Sequence, residues 1–184
     1  MKNIILFMLV ASLSCKAQQV YSLRPVEVDL PENSYEKDTN NELQNYEGTW
    51  KGTWGNKSIV ITLKKITHKY DADFKRYRDY LVGKFKVLDS NNNILYDNSN
   101  LSDDNAKIKG VSFRRYGDKY SLIYVDPDLC NITGGIAINF TDSTKTRLNW
   151  KLNKGRNMIT TDCQYYNTTP FPQALPEEII LTKQ

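Results

Sequence analysis

Three cysteines, one histidine and several acid-rich turns are the residues of this 184-residue chain with reactive chemistry to offer. Cys15 follows Leu13-Ser14, the arrangement of a lipobox, in which the cysteine is acylated and becomes the mature N-terminus. The same stretch also supports cleavage after Ala17, because Cys15-Lys16-Ala17 reads as a small-x-small site. With Cys15 assigned to targeting, Cys130 and Cys163 are an even pair: a disulfide, as an oxidising compartment favours, or two buried free thiols. A simple meander that carries Cys163 on the strand after 146–152 would put one strand between them. That exceeds the roughly 7 Å between Cα atoms that a bridge tolerates, unless a bulge or loop brings them together.

The other reactive groups lack partners placed by any motif. His68 stands in a lysine-rich stretch with no serine or cysteine set beside it, and is expected to face solvent rather than act as a base. Asp103-Asp104, and Asp126 and Asp128 around Pro127, lack the ligand spacing and glycine of a calcium loop, so surface turns are expected and no metal or cofactor. No nucleophile–base pair can be named, so the chain is read as non-enzymatic. The formal charge of +4 falls to +2 when Lys2 and Lys16 are removed, which is no footprint for nucleic acid. A basic run through Lys64, Lys65, His68, Lys69, Lys75, Arg76, Arg78, Lys84 and Lys86 is interleaved with Asp71, Asp73 and Asp79 and reads as a solvated hairpin face.

Aromatic side chains are the remaining candidates. Tyrosine occurs 12 times, and Trp54, Phe85, Tyr124 and Trp150 are expected to line an interior able to admit a small apolar or amphipathic ligand. The alternative is that these rings plug a filled barrel whose outer face or edge meets another protein.

Such rings must be carried by strands, and the sequence alternates accordingly. In Gly48-Thr49-Trp50-Lys51-Gly52-Thr53-Trp54 the indoles share one face with the glycines while Thr49, Lys51 and Thr53 share the other, and Gly55-Asn56 turns the chain into Ser58–Ile66. Leu81, Gly83, Phe85 and Val87 line one face of the next strand. Ile108 and Gly110 give way to Val111 and Phe113, a parity change that predicts a bulge near Gly110. Ile136, Ile138 and Phe140, then Leu148, Trp150 and Leu152, alternate again, and the chain ends on Glu178–Lys183. These repeats predict an all-β fold: a single antiparallel meander barrel of roughly nine or ten short strands over residues 46–184.

Ahead of that domain, a basic head at Lys2 and the eleven uncharged residues Ile4–Ser14 are too short to span a bilayer and read as a signal peptide over 1–17. Residues 18–45 hold Pro25, Pro31 and several Asn without periodicity and read as a polar tether, with one helical turn near Asn40–Gln44. The expected address is the cell envelope: periplasmic or anchored to the outer membrane through lipid on Cys15, alternatively secreted.

Gly48-Thr49-Trp50 after a short helical turn is similar to the Gly-x-Trp opening of lipocalins and related calycin barrels, which gives Gly48 and Trp50 structural roles. Over nearly the whole chain, the leader with Ser14-Cys15-Lys16, Tyr46–Trp50, Leu81–Phe85, Asn149–Leu152 and Ile180–Lys183 resembles an uncharacterised family of short exported proteins of Gram-negative bacteria. That resemblance implies a lipocalin-like β fold and an envelope address. It implies no activity and no site residues.

Overall fold

The computed structural model describes residues 17–25 and 27–184, so the signal-peptide core and the lipobox Cys15 lie outside the described residues. Eleven strands form one sheet: β1 Val20–Ser22, β2 Tyr35–Lys37, β3 Gly48–Trp54, β4 Lys57–Asp71, β5 Arg76–Leu88, β6 Ile94–Asp97, β7 Ile108–Phe113, β8 Tyr120–Asp126, β9 Ile132–Phe140, β10 Arg147–Lys154 and β11 Glu178–Lys183. Eight of them close into the expected antiparallel barrel. The meander runs β3-β4-β5 and β7-β8-β9-β10-β11; Val82↔Lys109 and Gly83↔Ile108 join β5 to β7, and Lys51↔Thr182 joins β3 to β11. β6 is a spur folded back on β5 after the Asp89–Asn93 turn.

Side-chain alternation fills this barrel. Trp50 from β3, Ile59, Ile61 and Leu63 from β4, Phe85 from β5, Tyr120 from β8, Ile138 from β9 and Trp150 from β10 are all buried in one cluster. Eight strands enclose a lumen just wide enough for side chains to fill, so two indoles and several rings leave it packed. One end is plugged by the 3-10 turn Leu43–Tyr46. The Tyr46 ring stacks on Phe140 at 4.3 Å, and Trp50 Nε1 donates to the Tyr46 carbonyl at 2.8 Å. Gly48 follows at φ 119°, a conformation that costs an L side chain strain. The opposite end is covered by the β8–β9 and β10–β11 connections, where Trp150 Nε1 donates to the Pro176 carbonyl.

The segment read as a polar tether is built into the fold. β2 pairs parallel with β5 through Tyr35↔Tyr77 and Glu36↔Arg78, β1 adds to β2, and Leu23 and Leu43 are buried. Its polar residues looked solvated in sequence because their partners are distant. Asp38 accepts from Glu42 N, Leu43 N and Lys65 Nζ; Asp79 accepts from Tyr35 Oη, Asp38 N and His68 N; Arg78 pairs with Glu36 and Asp71. These buried carboxylates each have several donors, so the strap is tied to the barrel by satisfied hydrogen bonds as well as by Leu23 and Leu43.

The bulge lies where the parity change placed it, with the β7–β8 register shifting between Gly110 and Ser112. A Cβ at Gly110 would stand 2.3 Å from Tyr120 Oη and 2.8 Å from the Leu81 backbone nitrogen, and the backbone atom cannot yield. Gly110→Ala is therefore expected to cost about 1–3 kcal/mol, read as a lower denaturation midpoint at unchanged slope.

Candidate functional site

Of the four aromatic residues expected to line a ligand cavity, the structure places Phe85, Tyr124 and Trp150 in the packed interior, at 2 %, 2 % and 0 % exposure. Trp54 is half-buried at the end of β3 and packs against the core from outside it. Tyr124 also borders a cavity. That cavity, about 280 Å³, lies at the covered end of the barrel. Its apolar walls are Ile132, Leu152, Ile159, Phe171, Ala174 and Leu175, four of which belong to the β10–β11 connection.

The structure corrects the meander reading that carries Cys163 on a further strand: residues 155–177 form no strand and are interrupted by Pro170, Pro172 and Pro176. The signal of this connection was composition: Ile159, Phe171, Ala174 and Leu175 are apolar residues in a segment with no strand period, which is what a cap over a barrel end requires. A disulfide holds it. Cys130 and Cys163 are bonded, with Cα atoms 5.7 Å apart. The strand expected between them does not intervene, because neither cysteine is in a strand. Cys130 follows the 3-10 turn Pro127–Leu129 and Cys163 sits in the cap, both at the same end. A left-handed backbone at Cys130 and Asn131, φ 58° in each, turns the thiol toward the cap.

Polar groups around the cavity are already engaged. Tyr124 Oη donates to Asp126, which is fully buried and also accepts from Lys107 Nζ and Asp128 N. Burial, and then the bond to Asp126, push the Tyr124 phenol well above its ordinary range. Burial works against the Lys107 ammonium, yet its bonds to Asp126 and Asp128 hold its pKa above the ordinary value. At neutral pH the network thus offers neither a phenolate nor a free amine. Asn157 binds the backbone and hydroxyl of Thr133, Gln173 Nε2 donates to the Leu175 carbonyl, and Lys154 pairs with Glu177 at 2.6 Å.

The other singled-out groups are likewise committed. His68 is exposed, stacked on Tyr77 and edge-on to Tyr35, each at 4.5 Å, with Nε2 3.0 Å from Gln18 Oε1. The basic run is paired residue by residue: Lys64 and Lys84 with Asp103, Lys65 with Asp38, Lys69 with Asp104, Lys75 with Glu32, Arg76 with Glu36. Asp103 and Asp104 serve as these counter-charges, and among the described residues no cluster of His, Cys, Asp and Glu is placed to hold a metal. Outside the barrel a second concavity of about 640 Å³ runs between the β4–β5 tip and the β7–β8 wall, with Val111, Ile123 and Val125 as floor and Phe74 as one side. Within it Arg78 pairs with Asp71 and Lys107 with Asp128.

Comparison with known proteins returned a family model described as a family of unknown function (DUF6705), which matches residues 1–184. No curated protein and no solved structure matches.

Proposed function

The chain belongs to this family of unknown function, and from that premise we propose that it is an exported, non-enzymatic binding protein whose site is the capped end of the barrel. The observation that carries the reading is the 280 Å³ apolar cavity, roofed by a connection that a disulfide staples in place. Small-ligand sites are concave, mostly apolar and common in the mouths of β-barrels. The ligand is a small apolar or amphipathic molecule, bound at the end of the packed lumen rather than along its axis.

Export is supported by the basic head and apolar run at Lys2–Ser14 and by the Cys130–Cys163 bridge, since such bonds persist in oxidising compartments. If lipid is attached at Cys15, four residues separate the anchor from β1 at Val20, a span of five residue steps. At about 3.4 Å per residue that leaves the barrel within about 17 Å of the membrane surface, because the strap is folded and supplies no slack.

Native mass spectrometry of protein purified from its own host tests both parts. The expected result is a retained small-molecule mass that is diminished in Ala174→Leu, which takes up part of the cavity, together with an acyl mass on Cys15. A bare polypeptide mass would count against ligand and lipid alike. A second reading, an interaction protein with no ligand, is favoured by the packed lumen and by Phe74, Ile123 and Val125, which are exposed together in the outer groove. It predicts the bare mass and capture of a partner that Ile123→Asp abolishes.

A further inference from the structure

We propose that the outer groove is a second binding site, and that it takes a short peptide of two or three residues with apolar side chains and both termini charged. The inference is independent of the capped-cavity reading, because the groove lies outside the barrel, on the β7–β8 wall. Phe74, Ile123 and Val125 meet in it at 42 %, 48 % and 39 % exposure. Single exposed apolar side chains are ordinary, but three around one concavity of about 640 Å³ point to an occupant with apolar groups of its own.

Charge narrows the occupant further. Arg78 is taken by Glu36 and Asp71, Lys107 by Asp126 and Asp128, and Asp104 by Lys69. Two charged side chains of the lining remain. Lys109, exposed on β7, and Asp73, exposed at the β4–β5 tip, have no ionic partner among the described residues. An occupant that carries one anion and one cation answers both. A carboxylic acid alone leaves Asp73 unanswered, and a polyanion such as a nucleotide meets the carboxylates of Asp71, Asp73, Asp104 and Asp128 along the same walls.

The spacing of the two charges excludes a single amino acid. Arg78 Nη2 donates to the Val111 carbonyl and the Arg78 guanidinium lies 4.3 Å from the Phe74 ring, so the tip that carries Asp73 stands beside Val111. Lys109 is two residues away along β7, about 7 Å at the rise of a strand. The charges of one amino acid sit on a single Cα, too close to reach both, whereas the termini of an extended di- or tripeptide are about 7–10 Å apart. Volume agrees: at about 30 Å³ per water-sized group, 640 Å³ holds roughly 21 non-hydrogen atoms, the size of a small apolar tripeptide. Asn105, exposed in the lining, has a side-chain amide that bonds to no other described residue and is left to pair with a peptide group.

The test is calorimetric titration of the full chain with trivaline and leucyl-leucine, with their N-acetyl and C-terminal amide derivatives, and with triglycine. The two apolar peptides should bind and triglycine should not. Acetylation and amidation should each weaken binding about threefold, the size expected of one exposed ion pair. Lys109→Gln should erase the difference between acid and amide while keeping that between amine and acetyl; Asp73→Asn should do the reverse. Ile123→Asp, at an exposed position, should abolish binding, and Ala174→Leu at the capped end should leave it unchanged.

Equal affinity for the free and blocked peptides, or indifference to Lys109→Gln and Asp73→Asn, overturns the assignment of the termini. Binding that Ala174→Leu abolishes and Ile123→Asp does not move belongs to the capped cavity; it overturns this proposal and leaves the earlier reading standing. No saturable heat from either peptide overturns the proposal whatever the protein from its host retains, and capture of a protein partner through Ile123 would then give the groove to that partner.

Discussion

Trp150→Ala is expected to destabilise the protein by about 3–5 kcal/mol, the cost of emptying a large buried side chain from a core that cannot collapse around the gap. The indole is fully buried, its Nε1 donates to the Pro176 carbonyl, and it lies in the same cluster as Trp50, Leu152 and Leu175. In thermal unfolding of a domain this size the loss corresponds to a fall of roughly 10 °C. Trp150→Phe keeps most of the apolar volume and surrenders the hydrogen bond, so it should cost about 1–2 kcal/mol. The contrast between the two separates a core residue from a ligand contact. If Trp150→Ala melts within about 1 kcal/mol of the parent, the lumen is less packed than described and the indole belongs to a binding surface after all.

Removing the disulfide, through Cys130→Ser with Cys163→Ser, should have an effect of comparable size by a different route. The bridge closes 33 residues of sequence, and releasing a loop of that length returns about 4 kcal/mol of chain entropy to the unfolded state. The loss should also be local in the native state. Residues 157–175 gain hydrogen exchange, because most of the hydrogen bonds holding that connection are to its immediate surroundings, whereas β3 and β4 keep their protection through paired strands on both sides. Binding to the capped cavity should weaken with the same substitutions, since Ile159, Phe171, Ala174 and Leu175 are walls as well as roof. Unchanged exchange in 157–175 after loss of the bridge would mean that packing alone fixes the cap.

Both predictions turn on one division of labour in the fold. The barrel wall is closed by strand pairing, β5 to β7 and β3 to β11, with its large rings inward. The two ends are closed differently. At one end a 3-10 turn inserts Leu43 and Tyr46 into the core. The other is closed by a connection with few regular hydrogen bonds and a covalent tie, which leaves a cavity. A packed lumen also explains why Phe85, Tyr124 and Trp150 lie in the core: in eight strands, large inward rings fill the space they were expected to line.

What the amino-acid order determined by itself was everything with a period or a local signal. Alternation in Gly48–Trp54, Leu81–Val87 and Leu148–Leu152 specified strands and their inward faces, because a side-chain period of two is a local property of extended backbone. Gly55-Asn56 and Asp89–Asn93 marked turns by their own chemistry, and the parity change at Gly110 located the bulge. Tertiary structure alone decided the rest. Nothing local says that Asp38 will meet Lys65 or that Glu36 will meet Arg78, so a strap held by distant charges read as a tether. Nor does sequence spacing show that two cysteines in separate loops arrive at the same barrel end, or which apolar residues of an aperiodic connection will enclose a cavity there. Those facts depend on closure of the sheet, which brings together residues that no window of sequence contains.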